Sequence, residues 1–166
     1  MSSERIIRNT YTDTILEIAG IATTLALIIM PFVFYSALPD KIPMHYSFKG
    51  IPDSFNHKIS IFGLPFIGFI LYIGLSLLNY FVIRKNSGKI TPDKHEILIR
   101  KRILRLMQFI KIIMSLAFAY IVYNTIQISL EKAQSLGAWF LPTFIVLITF
   151  VPVILLVNFS SSSKKK

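Results

Sequence analysis

Long uncharged apolar segments alternate with short charged segments along this chain, and this pattern predicts membrane-spanning helices. Four segments contain no charged residue: 18–38, 59–83, 112–130 and 133–163. Each is close to or longer than the roughly 20 residues with which a helix crosses a bilayer. Between Ile61 and Leu78 nearly every position is apolar, rather than every third or fourth. This excludes a soluble four-helix bundle, whose helices carry polar stripes.

We therefore predict an all-α integral membrane protein with four spans. Its 16% of charged residues and mean hydropathy of +0.63 agree, because a soluble domain carries about 25% charged residues. The absence of cysteine excludes disulfides and thiolate metal sites. We predict a cytoplasmic N-terminus at residues 1–14 and a basic cytoplasmic tail at residues 160–166. The four spans between them are predicted at residues 15–37, 60–83, 106–130 and 139–159.

The net charge of +10 is distributed unevenly between the two sides of this arrangement. Thirteen basic residues lie on one side: two before the first span, eight between the second and third spans, and three at the end of the chain. Only four lie on the opposite side, at Lys41, Lys49, Lys58 and Lys132. The positive-inside rule then places both termini and the central loop in the cytoplasm. No aromatic–basic interleaving accompanies the charge, so nucleic acid is not an expected partner.

The loop between the first two spans is not a generic linker. Its prolines Pro39, Pro43 and Pro52 exclude helix and stiffen the backbone. Turns are predicted at residues 49–50 and 52–53. Apolar side chains alternate with others at a strand-like period of two, which predicts a short extracellular strand with one face on the helix ends. The apolar positions of this alternation are Ile42, Met44, Tyr46 and Phe48.

This loop carries a motif of fixed spacing. Its members are Pro39, Ile42, Pro43, His45, Tyr46, Gly50, Pro52, Asp53, Phe55 and Lys58. The motif resembles the signature loop of an uncharacterised bacterial membrane domain that also forms the N-terminal half of SdpI-type immunity proteins. The resemblance implies a bacterial plasma-membrane protein linked to immunity against, or signalling about, a secreted killing peptide. SdpI-type proteins continue into a second membrane domain, which these 166 residues do not contain.

Three functions from different classes follow. The first is a non-enzymatic membrane protein that senses or blocks an extracellular peptide or toxin through residues 39–58. The second is a structural or accessory subunit of a transporter or envelope complex, with the loop contacting another membrane protein. The third is a metal-dependent membrane enzyme, with weak candidate ligands at His45, Asp53 and His57 and a fourth at Asp40. Against this third function, His45 and Asp53 also suit simple bracing of the loop, and no catalytic sequence motif or cofactor motif is present.

A basic amphipathic helix is predicted to begin at residues 91–93 and to continue into the third span. Its basic side chains would face anionic lipid headgroups or dock a cytoplasmic regulator. They are Lys94, Lys101 and Arg105.

Polar residues inside the spans are few and uncharged, at Asn79, Asn124, Thr125 and Gln127, which suits hydrogen bonds between helices. Glu17 lies at the inner edge of the first span, where it would face water or a basic residue. No carboxylate is expected near the midplane, which disfavours proton-coupled transport.

Overall fold

A computed structural model describes residues 11–84 and 94–162 of the chain. Four helices and one antiparallel β-hairpin make up this part of the protein. Short 3-10 turns at Tyr35–Ala37 and Lys58–Phe62 connect the hairpin to the helices on either side. In chain order the elements are α1 (Tyr11–Phe34), β1 (Lys41–Tyr46), β2 (Pro52–His57), α2 (Gly63–Arg84), α3 (Lys94–Ser129) and α4 (Phe140–Ser162).

Several of these helices are long and apolar enough to cross a membrane. Among the described residues they are Tyr11–Ala37, Lys58–Phe81 and Lys101–Ser129. The corresponding apolar part of α4, Phe140–Ile154, is shorter. The prediction of a mostly helical, multi-pass membrane chain is thus confirmed, while the fourth span stays a prediction.

Large apolar side chains cover the outside of the helix bundle. A soluble monomer rarely exposes apolar patches larger than a few hundred Å². Here exposed aliphatic and aromatic residues follow one another along α1 and α2, where a lipid bilayer would cover them. Examples are Ile18, Leu25, Ile29, Phe66, Phe69, Ile70 and Leu77.

Helix α3 lies at the centre of the fold and packs against α1, α2 and α4. Close approach of the helices depends on small residues. A Cβ atom added at Gly68 of α2 would lie 2.7 Å from Leu27 Cδ2 and 3.1 Å from Phe118 Cδ2. Small residues serve in this way at helix interfaces in membranes, where lipid is as apolar as the protein interior.

The buried core lies at the hairpin end of the bundle. Leu27, Ile42 and Ile126 have no exposed surface, and Val122 is 1% exposed. Because Ile42 belongs to β1 and the others to α1 and α3, the hairpin is packed into the core rather than suspended above it. The hairpin is therefore a folded cap on the helix bundle.

Helix α3 continues without interruption over 36 residues, as the amphipathic pattern predicts. The predicted start at 91–93 lies outside the described residues, as does the side chain of Lys94. Lys101 is partly exposed. Arg105 is partly exposed, and its Nε donates a 2.7 Å hydrogen bond to Asp13 of α1. Contact of these basic side chains with lipid headgroups stays a prediction.

Candidate functional site

The hairpin between α1 and α2 departs from a regular ladder. Pro43 pairs with Phe55, but His45 then pairs with Ser54 and Tyr46 with Pro52, which leaves Met44 and Asp53 without ladder partners. Such an irregularity twists a strand and redirects its side chains. Ile42 and Tyr46 point inward as the alternation predicts, whereas Met44 is 45% exposed and Phe48 is 87% exposed, so the prediction is wrong for these two. The expected turn at 52–53 is wrong too, because both residues belong to β2.

The predicted turn at Gly50 is present, with the amide of Gly50 donating to the carbonyl of Ser47 at 2.8 Å. Gly50 has φ +75°, a left-handed conformation that favours glycine. Its carbonyl accepts a 2.8 Å hydrogen bond from the amide of Leu136 in the α3–α4 loop. A Cβ atom at Gly50 would lie 3.0 Å from the carbonyl oxygen of Gly137. Glycine here allows two loops to meet backbone to backbone.

Two tyrosines attach this cap to α3. The hydroxyl of Tyr46 lies 2.7 Å from that of Thr125, and Tyr120 Oη donates to the carbonyl of Leu136 at 2.8 Å. Burial raises the pKa of Tyr46, so its hydroxyl stays protonated at neutral pH. Thr125 was expected to bond another helix, and the structure pairs it with the hairpin instead. The cap is thus fixed to α3 through β1 and through the α3–α4 loop.

His45 and Asp53 form a pair at the surface of the cap. His45 Nδ1 lies 2.6 Å from Asp53 Oδ1. Their side chains are 72% and 44% exposed, so the pair faces the surroundings and not the core. The carboxylate orients the imidazole and leaves Nε2 for an external group.

His57 and Asp40 lie at the other end of the hairpin. His57 opposes Lys41 in the ladder, and its Nδ1 accepts a hydrogen bond from the amide of Ile59. Asp40 pairs with Lys58 at 3.3 Å, in the part of the cap next to the 3-10 turn. No group of three metal-ligating side chains comes together within residues 11–84 and 94–162. The four candidate metal ligands are therefore divided between the two ends of the hairpin, with His45 and Asp53 at one end and Asp40 and His57 at the other.

The remaining motif residues shape the hairpin. Pro43 is buried and Pro52 is half-buried, whereas Pro39 and Phe55 are exposed. Lys58 Nζ lies 5.6 Å from the centroid of the Tyr35 ring, in a cation–π contact. The motif thus combines residues that build the cap with residues that it displays.

A cleft of about 700 Å³ lies beneath the hairpin. Helix α3 forms its back wall, α2 and α4 form its sides, and β1 with the turn forms its roof. In the part of the chain that the structure describes, α2 and α4 both line the cleft and share no extensive interface with each other. Polar residues such as His45 and Asp53 line the roof, and aliphatic residues such as Ile67 and Ile121 line the depth.

A second polar cluster lies between α1, α2 and α3, within the apolar length of the helices. Lys111 is 3% exposed, and its Nζ donates to Glu17 Oε1 at 2.9 Å and to Ser76 at 3.2 Å. Glu17 also accepts hydrogen bonds from Tyr72 and Gln108. Of the two alternatives for Glu17, water or a basic residue, the structure shows the basic residue. The cluster was missed because its members come from distant parts of the sequence.

Comparison with known proteins gives one match. Residues 22–69 match a family described as a domain of unknown function (DUF1648). The match covers the second half of α1, the whole hairpin and the start of α2. No curated protein and no solved structure matches the chain. The segment around the hairpin is therefore similar to an uncharacterised domain, and the relation to SdpI-type immunity proteins stays a prediction.

Proposed function

We propose that this chain is a non-enzymatic protein of the bacterial plasma membrane that senses or blocks an extracellular peptide through its hairpin cap. Helix α4 completes a fourth span, and both termini lie in the cytoplasm. The observation that carries the proposal is a hairpin fixed firmly to the bundle while it displays apolar and hydrogen-bonding side chains away from it.

The displayed side chains suit a peptide partner. Phe48 is 87% exposed at the turn, and Phe55 is 60% exposed on β2. Met44 and Ile51 add further exposed apolar surface around the turn. Exposed apolar side chains beside polar ones are typical of surfaces that bind other molecules. The His45–Asp53 pair supplies hydrogen-bonding groups on this same cap.

The attachments of the cap lower the cost of binding. Ile42 in the core, the Tyr46–Thr125 hydrogen bond and the Leu136–Gly50 hydrogen bond fix three parts of the hairpin. A surface that is ordered before binding loses less conformational entropy when the partner arrives. An accessory subunit would use the same surface, but for a membrane protein partner.

The proposed orientation predicts which positions react from outside the cell. In Ser47→Cys the thiol lies in the hairpin turn and should react with an impermeant maleimide on intact cells. In Ser87→Cys, at a position outside the described residues, it should react only after permeabilisation. Equal labelling of both variants on intact cells would contradict the orientation, and the cysteine-free parent chain supplies the background.

The proposed function predicts selective loss of protection. In a strain lacking the gene, His45→Ala, Asp53→Ala and Gly50→Val should each fail to restore survival against a competitor that secretes the killing peptide. All three should still insert in the membrane, because none lies in a span. Ser54→Ala, an exposed substitution opposite His45, is the matched control and should restore survival.

Full rescue by all three variants would show that the hairpin is not the working surface. Loss of rescue together with loss of a co-purifying membrane subunit, at unchanged peptide binding, would instead favour the accessory role.

A further inference from the structure

We propose that the cleft between α2 and α4 binds one acyl chain of a phospholipid from the leaflet on the hairpin side. The inference does not depend on the proposed function, although His45 and Asp53 line the roof of the cleft as well as the surface of the cap. It rests on the apolar walls of the cleft. It assigns a ligand class to a region that otherwise has only a structural description.

The lining of the cleft matches the order of groups along a lipid. His45, Ser47 and Asp53 lie at the roof, where the polar headgroup would meet them. Ile67 of α2 and Ile121 of α3 lie deeper, where a hydrocarbon chain would pass. The α2 side of the cleft runs from Gly63 to Ile67, about 6 Å at the helical rise, in a helix apolar enough to cross a membrane.

A cleft of this size cannot stay empty at low cost. Its volume of about 700 Å³ is far above the roughly 30 Å³ that one water molecule occupies in the liquid. Unfilled space deprives the lining atoms of dispersion contacts, and an apolar lining offers water too few hydrogen-bond partners. Because α2 and α4 both line the cleft without packing extensively on each other, the lipid chains around the bundle are the nearest material to fill it.

A peptide segment fits the depth of the cleft less well. An extended peptide would bring unpaired N–H and C=O groups beside Ile67, Ile121 and Leu141, and each such group is costly in an apolar environment. A helix avoids this cost, but it is about 10–12 Å across with its side chains, so 700 Å³ admits only about one to one and a half turns. A thin, flexible hydrocarbon chain has neither problem.

Two glycines of α2 provide a matched test. A Cβ atom at Gly63 or at Gly74 would meet nothing within 4 Å, so at both positions a side chain can begin without a clash. Gly63 lines the cleft, whereas Gly74 does not. Gly63→Phe should therefore obstruct the cleft, and Gly74→Phe should leave it open. Ile67→Trp, on the same wall of the cleft, is a second obstructing variant in case Gly63→Phe does not fold.

The probe is a phosphatidylglycerol with a diazirine in one acyl chain, mixed with phosphatidylethanolamine in nanodiscs that hold the full chain. After irradiation, mass spectrometry compares cross-links at the cleft residue Ile121 with those at Ile73, an exposed residue of α2 outside the cleft. We expect labelling of Ile121 at least equal to that of Ile73 in the unmodified chain and in Gly74→Phe. Gly63→Phe and Ile67→Trp should reduce labelling of Ile121 at least fivefold and leave Ile73 unchanged.

Two results would overturn the proposal. One is labelling of Ile121 at background level in the unmodified chain. The other is labelling of Ile121 that the two obstructing variants, correctly folded, do not reduce. If lipid labelling is absent and Gly63→Phe loses protection in the survival assay, the occupant of the cleft is the peptide. Failure of His45→Ala to lose protection would bear on the proposed function alone.

Discussion

Replacing Lys111 with methionine is expected to lower the free energy of unfolding by roughly 2 kcal/mol, because it leaves the Glu17 carboxylate without its cation. This value lies between those of exposed and buried ion pairs, since the Glu17 side chain is 38% exposed. Lys111 is 3% exposed and donates to both oxygens of Glu17, at 2.9 and 3.0 Å. Its ammonium also lies 4.6 Å from the centroid of the Tyr72 ring. Tyr72 and Gln108 would still donate hydrogen bonds to this carboxylate, but neither side chain supplies a positive charge. Denaturant titration in detergent micelles, followed by circular dichroism, measures the loss of stability.

The double variant Glu17→Met/Lys111→Met distinguishes the effect of leaving one charge unpaired from an ordinary effect on packing. It removes both charges and should be less destabilised than Lys111→Met, within about 1 kcal/mol of the unmodified chain, since a buried pair and an apolar replacement often differ little. Asp40→Asn is the control for an exposed pair, because the Asp40 side chain is 85% exposed, and it should cost less than about 1 kcal/mol. Equal destabilisation by Lys111→Met and the double variant would contradict the argument.

The charged cluster shows where local pattern stops being informative. Glu17 and Lys111 are separated by 94 residues, and no spacing rule connects them. A signal was nevertheless present, because each is a charge at the edge of an otherwise apolar segment, and charges at membrane depth require partners. Reading the two together would have predicted their contact and the approach of α1 to α3. Arg105 and Asp13 form a second charged contact between α3 and α1, about one helical turn from the first.

For the hairpin, in contrast, the local sequence pattern predicts much of the structure. The alternation and Gly50 predict a short strand followed by a turn, and the structure confirms both. That the strand pairs with a second one was not predicted. The prediction is wrong at Met44 and at Pro52–Asp53, because the register shifts on both sides of His45. Register depends on contacts across the ladder, which a single strand does not encode. The cleft could not be predicted at all, since it depends on how far α2 and α4 stay apart.

Replacing Gly50 with alanine is expected to destabilise the cap by about 3 kcal/mol, more than its left-handed conformation alone explains. A non-glycine residue at positive φ costs roughly 1–2 kcal/mol. At Gly50 the new Cβ would in addition lie 3.0 Å from the carbonyl oxygen and 3.2 Å from the amide nitrogen of Gly137, so the two loops must separate. Separation would weaken the 2.8 Å hydrogen bond from Leu136 to Gly50. Valine should be worse, because a β-branched side chain is strained further at positive φ.

Gly137→Ala is the control that measures the cost of a positive φ alone, without the clash between the two loops. Gly137 has φ +85°, but the nearest atom to a Cβ there is Tyr120 Oη at 4.0 Å, so only backbone strain is added and the loss should be about 1 kcal/mol. The amide of Leu136 donates to the carbonyl of Gly50, so its rate of hydrogen exchange reports opening of the cap, while the amides of α3 report on the helices. Gly50→Ala should raise the exchange rate at Leu136 far more than the rates in α3. If Gly50→Ala and Gly137→Ala raise the rate at Leu136 equally, the contact between the two loops contributes nothing, and strain at positive φ accounts for the whole requirement for glycine.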